Sequence, residues 1–312
     1  MENKKMVSVV VPIYNEISMI DEIYSRISKV FEKLDNYEYE IVFFDDGSTD
    51  GTKEAIEELS LKYSEVKGVF YAKNFGYLKN SFYCMQQAKG DCAIIIHADL
   101  QNPPELIPQF IEKWEAGAQV VLGVKNKSRE NKMMYFLRSV FYFLMITVFG
   151  VKMKAHATEF ELFDRSFIDV LKRIRTNTPF LRGIVSEYAS KIDYLYYVQD
   201  ARNKGKSKFN LDKYYDFAIC GITKYSKKLP RKVIAFTSFC MLISVLEIGF
   251  HFMPQCWNLP GLDVSNGLII RLILFGLYVL IILVSVLFEY IISALDELTD
   301  KPLIVEEKRI NY

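Results

Sequence analysis

At 312 residues, with 51% hydrophobic and 14% aromatic side chains, the chain can bury a sizeable core, which excludes a disordered protein. The 39 Lys and Arg stand against 38 Asp and Glu, so a net charge of +1 offers no global attraction to nucleic acid. Cys84, Cys92, Cys220, Cys240 and Cys256 show neither CxxC nor Cys/His metal spacing, which fits a reduced compartment.

From the N-terminus, MENKKM leads directly into Val7–Ile13, too short for a signal peptide's apolar region and cleavage site, and read as a buried strand. Strand and helix signals then alternate: a helix over Ser18–Leu34, a strand over Tyr39–Phe44, a helix over Thr52–Tyr63 and a strand over Val66–Tyr71. A helix over Leu78–Ala88 and a strand over Cys92–Ile96 follow. Continuous apolar strands in such alternation predict an α/β fold with a mostly parallel sheet and helices on both faces, whose ligands bind at the carboxyl ends of the strands. Tyr14-Asn15-Glu16, Asp45-Asp46-Gly47-Ser48 and His97-Ala98-Asp99 each directly follow an apolar strand, and so fall at that end.

Further on, Met133–Val151 is apolar and aromatic but carries Arg138, and is expected to lie in a membrane interface, with a third span as the alternative. Between Arg202 and Lys232 stand ten Lys and Arg against Asp212 and Asp216. The runs Val233–Phe252 and Gly267–Phe288 come next, each long enough to cross a hydrocarbon core of roughly 30 Å. The linker between them has no Lys or Arg, whereas both flanks are basic; this predicts a helical hairpin with both ends cytoplasmic. Glu247 and Arg271 fall at similar depth in the two runs and are expected to pair. The division that follows is a cytoplasmic catalytic domain over 1–228, a hairpin over 229–290 and a cytoplasmic tail over 291–312, at the cytoplasmic membrane.

The residue types at the strand ends suit a nucleotide-sugar. Acidic and amide side chains on adjacent strands can hold a base's N–H and a ribose's hydroxyls, and Gly47 permits a tight turn into a helix capped by Ser48 or Asp50. Taken alone, Asp-Gly-Ser-Thr-Asp-Gly is a turn and cap. With Pro12–Glu16 at the matching place it reads as nucleotide binding. In His97-Ala-Asp-Leu-Gln-Asn-Pro-Pro-Glu105, Asp99 with the amide oxygen of Gln101 suits a hard divalent ion that bridges a diphosphate, against the plainer reading of a strand-end helix cap.

Together these clusters resemble the family-2 glycosyltransferases of the Rossmann-like GT-A fold. Ala72-Lys-Asn-Phe-Gly76, Glu161-Leu-Phe-Asp-Arg165, Arg202-Asn-Lys-Gly-Lys-Ser-Lys-Phe209 and the hairpin resemble the polyprenyl-phosphate branch, that of dolichyl-phosphate mannose synthases and GtrB-type undecaprenyl-phosphate glycosyltransferases. The resemblance implies that Pro12, Tyr14, Asn15, Glu16, Asp45, Asp46, Lys73 and Ala98 contact the nucleotide. Asp99 and Gln101, with His97 as a further candidate, would hold Mg²⁺ or Mn²⁺. Arg202, Ser207 and Lys208 match a loop that closes on the phosphates, and Lys125 and Arg138 stand where relatives keep basic residues for the acceptor phosphate. Asp99, Arg202 and Lys208 are the candidate catalytic residues.

The implied reaction is inverting transfer of a sugar, UDP-glucose or UDP-N-acetylglucosamine being the favoured donor, to a polyisoprenyl phosphate such as undecaprenyl phosphate. A membrane partner and a homo-oligomer, a tetramer in the relatives, are implied too; nucleic acid is not. The departures are local: His97 stands where relatives carry an Asp, Glu159 replaces an Asp, and Glu161 replaces an Arg. The competing readings are a processive polysaccharide synthase, disfavoured because no Gln-x-x-Arg-Trp motif is present, and a degenerate membrane protein that binds nucleotide-sugars without turnover.

Overall fold

The computed structural model describes residues 4–128, 139–151, 153–199, 219–226, 228–256 and 266–312. Its first hundred residues run β1 (Lys5–Ile13), α1 (Ile20–Phe31), β2 (Tyr37–Asp45), α2 (Thr52–Lys62), β3 (Val66–Tyr71), α3 (Tyr77–Gln87) and β4 (Cys92–Ile95). Then come α4 (Ile107–Glu115), β5 (Val120–Ser128), α5 (Ser139–Val148), β6 (Ala157–Asp164), α6 (Arg165–Arg173), α7 (Leu181–Tyr188) and β7 (Ile192–Gln199). The chain closes with α8 (219–225), α9 (Leu229–Cys256), α10 (Asn266–Leu298) and β8 (Glu306–Ile310).

Period-two alternation in the central strands feeds two cores, one on each face of the sheet. Val9, Val11, Ile41 and Phe43 point into one, where α1 lays down Ile20, Ile23, Ile27 and Val30 at helical spacing. Val10, Val42 and Phe44 point into the other, against Phe82 and Met85 of α3 and Ile184 of α7. Strands covered on both faces have no polar side to show, so they read as unbroken apolar runs.

The eight strands lie in the order β7-β5-β6-β4-β1-β2-β3-β8. Strands β4, β1, β2 and β3 are parallel, as expected, and β7 runs parallel to β5. Six of the eight strands run one way, as expected of a mostly parallel sheet, but the sheet is mixed: β6 enters antiparallel between β4 and β5, and β8 adds antiparallel to β3. The reason is connectivity: β6 is reached after the long excursion 129–156, and β8 after α10, so neither is bound by the short right-handed crossover that makes neighbours parallel.

That edge strand corrects the expected division. The segment after 291 is not a tail apart from the catalytic domain, because β8 completes its sheet. Lys53 pairs with Glu307 and Lys308 with Glu57, while Tyr83 donates to Glu306 at 2.7 Å. Asn311 Nδ2 donates to the Ser60 and Val66 carbonyls. Short and heavily charged, β8 suits an exposed sheet edge.

Among the described residues one segment, Phe275–Leu298 within α10, is long and apolar enough to cross a membrane, and none of it is buried. Helix α9 covers the other expected span, 233–252, but it is not among the described segments long and apolar enough to cross a membrane, so a hairpin is not shown. The Glu247 and Arg271 side chains lie outside the described residues, as does 133–138 of the expected interfacial helix. At the far end of α10, Glu297 accepts from Lys224, from Thr176 at 2.8 Å and from Thr178 at 3.1 Å, so the helix docks on the catalytic domain before β8 begins.

Candidate active site

The carboxyl ends of β1 and β2 are stitched together by side chains. Asn15 adopts a left-handed conformation (φ 53°), tolerated by Asn better than by most residues, and its Oδ1 accepts the Thr49 N–H at 2.8 Å. The Asn15 N–H in turn donates to Ser48 Oγ at 2.8 Å, and Ser48 donates to Asp45. Asp46, buried beside Asp45, accepts the N–H groups of Phe75 at 2.7 Å and Gly76 at 3.0 Å, which ties β2 to the loop before α3. Burial pushes the Asp45 carboxyl above its ordinary range and Asp46 to about 6, the N–H donors to Asp46 opposing the rise. Gly47 (φ 72°) closes this turn, where a Cβ would stand 2.7 Å from the Lys73 carbonyl carbon. The residue that caps α2 is Gly51 (φ 94°) rather than Ser48 or Asp50, while Asp50 just before it accepts from the Thr52 N–H at 3.1 Å. Pro12 is buried in β1; Tyr14 and Glu16 are half-buried at its end, and Lys73 is exposed on the facing loop.

After β4 the chain makes a tight turn in which the Leu100 N–H reaches the His97 carbonyl at 3.1 Å and Leu100 is left-handed (φ 51°). A β-branched-free apolar residue held there costs about 1–2 kcal/mol, the kind of strain that accumulates where side chains must be aimed. The turn leaves Ala98 and Leu100 buried and Asp99 and Gln101 half-buried, with Asp99 Oδ1 accepting the Gln101 N–H at 3.2 Å. Beneath it Tyr197 donates to Asn102 at 2.6 Å and meets Thr158 Oγ1 at 3.0 Å, so β6 and β7 brace the turn from below. Lys125 is half-buried near the carboxyl end of β5, the same end of the sheet.

No three His, Cys, Asp or Glu side chains converge as a metal cluster among the described residues. The Asp99 carboxylate and Gln101 amide are hard oxygen donors on one turn, a set that fits a divalent cation whose remaining ligands come from a diphosphate and water. Arg138, Arg202, Ser207 and Lys208 lie outside the described residues.

The structure adds a group that strand-end motifs do not reveal. Glu159 and Glu161, on one side of β6, are buried beside the half-buried Arg182 of α7: Glu159 Oε1 is 3.9 Å from Arg182 Nη2, and Arg182 Nη1 donates to Tyr142 at 3.0 Å. Glu161 is 1% exposed, its Oε2 has no hydrogen-bond partner among the described residues, and burial with the neighbouring Glu159 pushes its carboxyl up to about 8. It lines a cavity of about 220 Å³ together with Arg182, Lys154 and Tyr194. Two acids spaced i, i+2 on an apolar strand were the sequence signal for one buried face; the partner Arg182 had none, since nothing in an eight-residue helix announces what it packs on.

Acids and amides gathered at one strand end of an α/β core, with Asp99 half-buried among them, suit a transferase. The family model "Glycosyl transferase family 2" matches residues 8–189, and the chain belongs to that family: it is a glycosyltransferase of GT-A fold with a mixed sheet. It is 35% identical over 96% of its length to the uncharacterized glycosyltransferase YkcC of Bacillus subtilis, covering 93% of that protein. It is 35% identical to the prophage bactoprenol glucosyl transferase homolog of Escherichia coli, with 70% and 72% of the two chains covered. The bactoprenol glucosyl transferase of Shigella phage SfV is 32% identical, with 80% of each chain covered. These relatives bear out the resemblance to the polyprenyl-phosphate branch.

Proposed function

We propose that the protein transfers a sugar, from UDP-glucose or UDP-N-acetylglucosamine, to the phosphate of a polyisoprenyl lipid such as undecaprenyl phosphate at the cytoplasmic face of the membrane. The observation that carries this reading is the half-buried Asp99–Gln101 turn at the same sheet end as the Asn15–Ser48–Asp45 lattice. The names of the two bactoprenol relatives support the acceptor class. α9 and α10 together form the anchoring hairpin, with residues 1–228 and β8 on the cytoplasmic side.

Asp99 and Gln101 would hold a divalent cation, which when bound neutralises charge on the diphosphate. The chain's own task is to bring two anions together. Lys125, with Arg138, Arg202 and Lys208, supplies positive charge for the two phosphates, and Ser207 a hydrogen bond. A phosphate monoester has a second pKa near 6 and is largely dianionic at neutral pH, so its oxygen attacks the anomeric carbon without a strong general base. The new carbon–oxygen bond forms as the bond to the nucleoside diphosphate breaks, and a single displacement inverts the anomeric configuration.

The experiment is transfer by detergent-purified full-length protein with undecaprenyl phosphate, a divalent cation and a panel of labelled UDP- and GDP-sugars. A lipid-phosphate sugar of inverted configuration is the expected product. Binding of nucleotide-sugar without any transfer would overturn the enzyme reading in favour of a binding protein, and elongation into a polymer would favour a processive synthase.

A further inference from the structure

A second cavity, of about 500 Å³, lies away from the candidate active site. Its wall includes Lys89, just before β4, whereas Asp99 follows that strand, so β4 separates the two. Four cationic side chains, Lys89, Arg165, Lys172 and Arg309, line it against one acidic side chain, Asp169. Three parts of the chain meet there. Arg165, Asp169 and Lys172 stand at i, i+4 and i+7 on one face of α6, and Lys89 follows α3. The antiparallel pairing of β8 carries Arg309 and Tyr312 to the amino end of β3.

Two of the cations are held in fixed planes. Arg165 donates from Nε to the Gly90 carbonyl and from Nη2 to the Ala88 carbonyl, both at 2.9 Å. Arg309 grips Glu306 with Nε at 2.6 Å and Nη2 at 2.7 Å, and its Nη2 also meets Gln87 Oε1 at 3.0 Å. Tyr312, whose hydroxyl donates to the Gln87 carbonyl, sets its ring 4.1 Å from Lys89 Nζ and 4.5 Å from the Arg309 guanidinium carbon.

These contacts leave donors over. Nη1 of Arg165, Nη1 of Arg309 and the Nζ atoms of Lys89 and Lys172 make no hydrogen bond among the described residues. Asp169 stands 3.8 Å from Arg165 Nη1 and 3.7 Å from Lys172 Nζ, beyond hydrogen-bond reach of either. Water can serve each donor singly. Four like charges gathered at one cavity nevertheless repel, and an anion among them removes that cost. Guanidinium groups already held in place lose little freedom in gripping an oxyanion, and phosphate oxygens suit both guanidinium and ammonium donors. The volume lies in the range of small-molecule sites.

We propose that this cavity is a second anion site, separate from the catalytic end of the sheet, for a phosphate-bearing ligand of about two or more negative charges. A soluble diphosphate and the headgroup of an anionic lipid share that chemistry. The site follows from contacts within the chain and does not rest on the proposed function.

The test is calorimetric titration of the full-length protein in detergent with inorganic diphosphate, divalent ions being chelated so that no metal holds the probe at Asp99. Dioctanoyl phosphatidic acid added to the same micelles is the lipid arm. Saturable binding of at least one probe is expected, and sodium chloride at equal ionic strength should not reproduce it. In the double variant Lys89→Gln/Lys172→Gln the Kd should rise about 10–100-fold, the scale of losing two charge-assisted contacts. Neither Nζ makes a hydrogen bond in the fold, so the variant should keep its structure, which its circular dichroism and unliganded melting temperature check. Diphosphate binding lost in the variant makes the ligand soluble; phosphatidic acid binding alone, lost in the variant, makes it a headgroup. Saturation by neither probe, or a Kd unchanged in a folded double variant, overturns the proposal.

Discussion

The carboxylate of Asp46 receives the Phe75 N–H at 2.7 Å, so the end of one central strand holds the loop that follows the next. Asp46 also takes the Gly76 N–H at 3.0 Å, and an amide in its place would turn an NH₂ toward one of those two donors. Asp46→Asn should therefore destabilise by about 1–3 kcal/mol at neutral pH, the cost of a buried donor left without an acceptor. The pH dependence has a definite sign. Burial raises the folded-state value to about 6, so the folded protein binds more protons than the unfolded chain between about pH 4 and 6, and this group's contribution weakens as pH rises through that window. The difference in melting temperature between native protein and Asp46→Asn should grow as pH falls from 6 to 4; a constant difference would remove Asp46 as its source.

The strand ends were legible because chemistry and period coincide there. Pro12–Glu16, Asp45–Ser48 and His97–Gln101 each break an apolar run abruptly, and the structure sets all three at one end of the sheet. What could not be read depends on contacts across long stretches of chain. Glu159, Arg182 and Tyr142 come from β6, α7 and α5, and only the fold brings them together. The same holds for β8: Glu306-Glu307-Lys308-Arg309 has neither apolar alternation nor β-branched residues to mark a strand, and is one because β3 offers an open edge.

A division of the protein before residue 232 would thus remove an edge strand along with the membrane helices. Deleting residues 301–312 alone should destabilise the catalytic domain, since Ile304 is buried and Ile310 and Tyr312 pack on the two cores. At about 1.5 kcal/mol for each apolar side chain withdrawn, the loss is about 3–5 kcal/mol. Thermal unfolding in detergent should fall by roughly 2–4 °C per kcal/mol. An unchanged melting temperature would mean that β8 contributes nothing to the domain.

Glu161 should be better tolerated as its neutral isostere than most buried charged positions. Burial, with Glu159 adding to it, lifts the folded-state carboxyl to about 8, so its contribution weakens steadily as pH rises from about 4.5 to about 8. Glu161→Gln removes that slope and should be at least as stable as the native protein at pH 8 while losing little at pH 5. Denaturant midpoints at the two pH values decide it: a variant equally destabilised at both would show that the carboxyl is ionised and satisfied throughout.

Asp99 is where the chemistry of the candidate site is most exposed to a single change. Asp99→Asn keeps the shape of the turn, and its Oδ1 can still accept the Gln101 N–H, so folding should be unaffected. The anionic donor is gone, however, and transfer should fall at least about 10²–10³-fold, the usual scale for removing one electrostatic contact to charge that develops in a reaction. Chelation of divalent ions should silence the native enzyme, and Mg²⁺ or Mn²⁺ should restore it. His97→Asp, which supplies a second hard oxygen ligand, should keep or raise Mg²⁺-supported activity, whereas His97→Ala should lower it only modestly, because diphosphate oxygens and water can complete an octahedron around Asp99 and Gln101. Complete loss of activity in His97→Ala, with Mn²⁺ outperforming Mg²⁺ in the native enzyme, would instead make the imidazole a direct ligand.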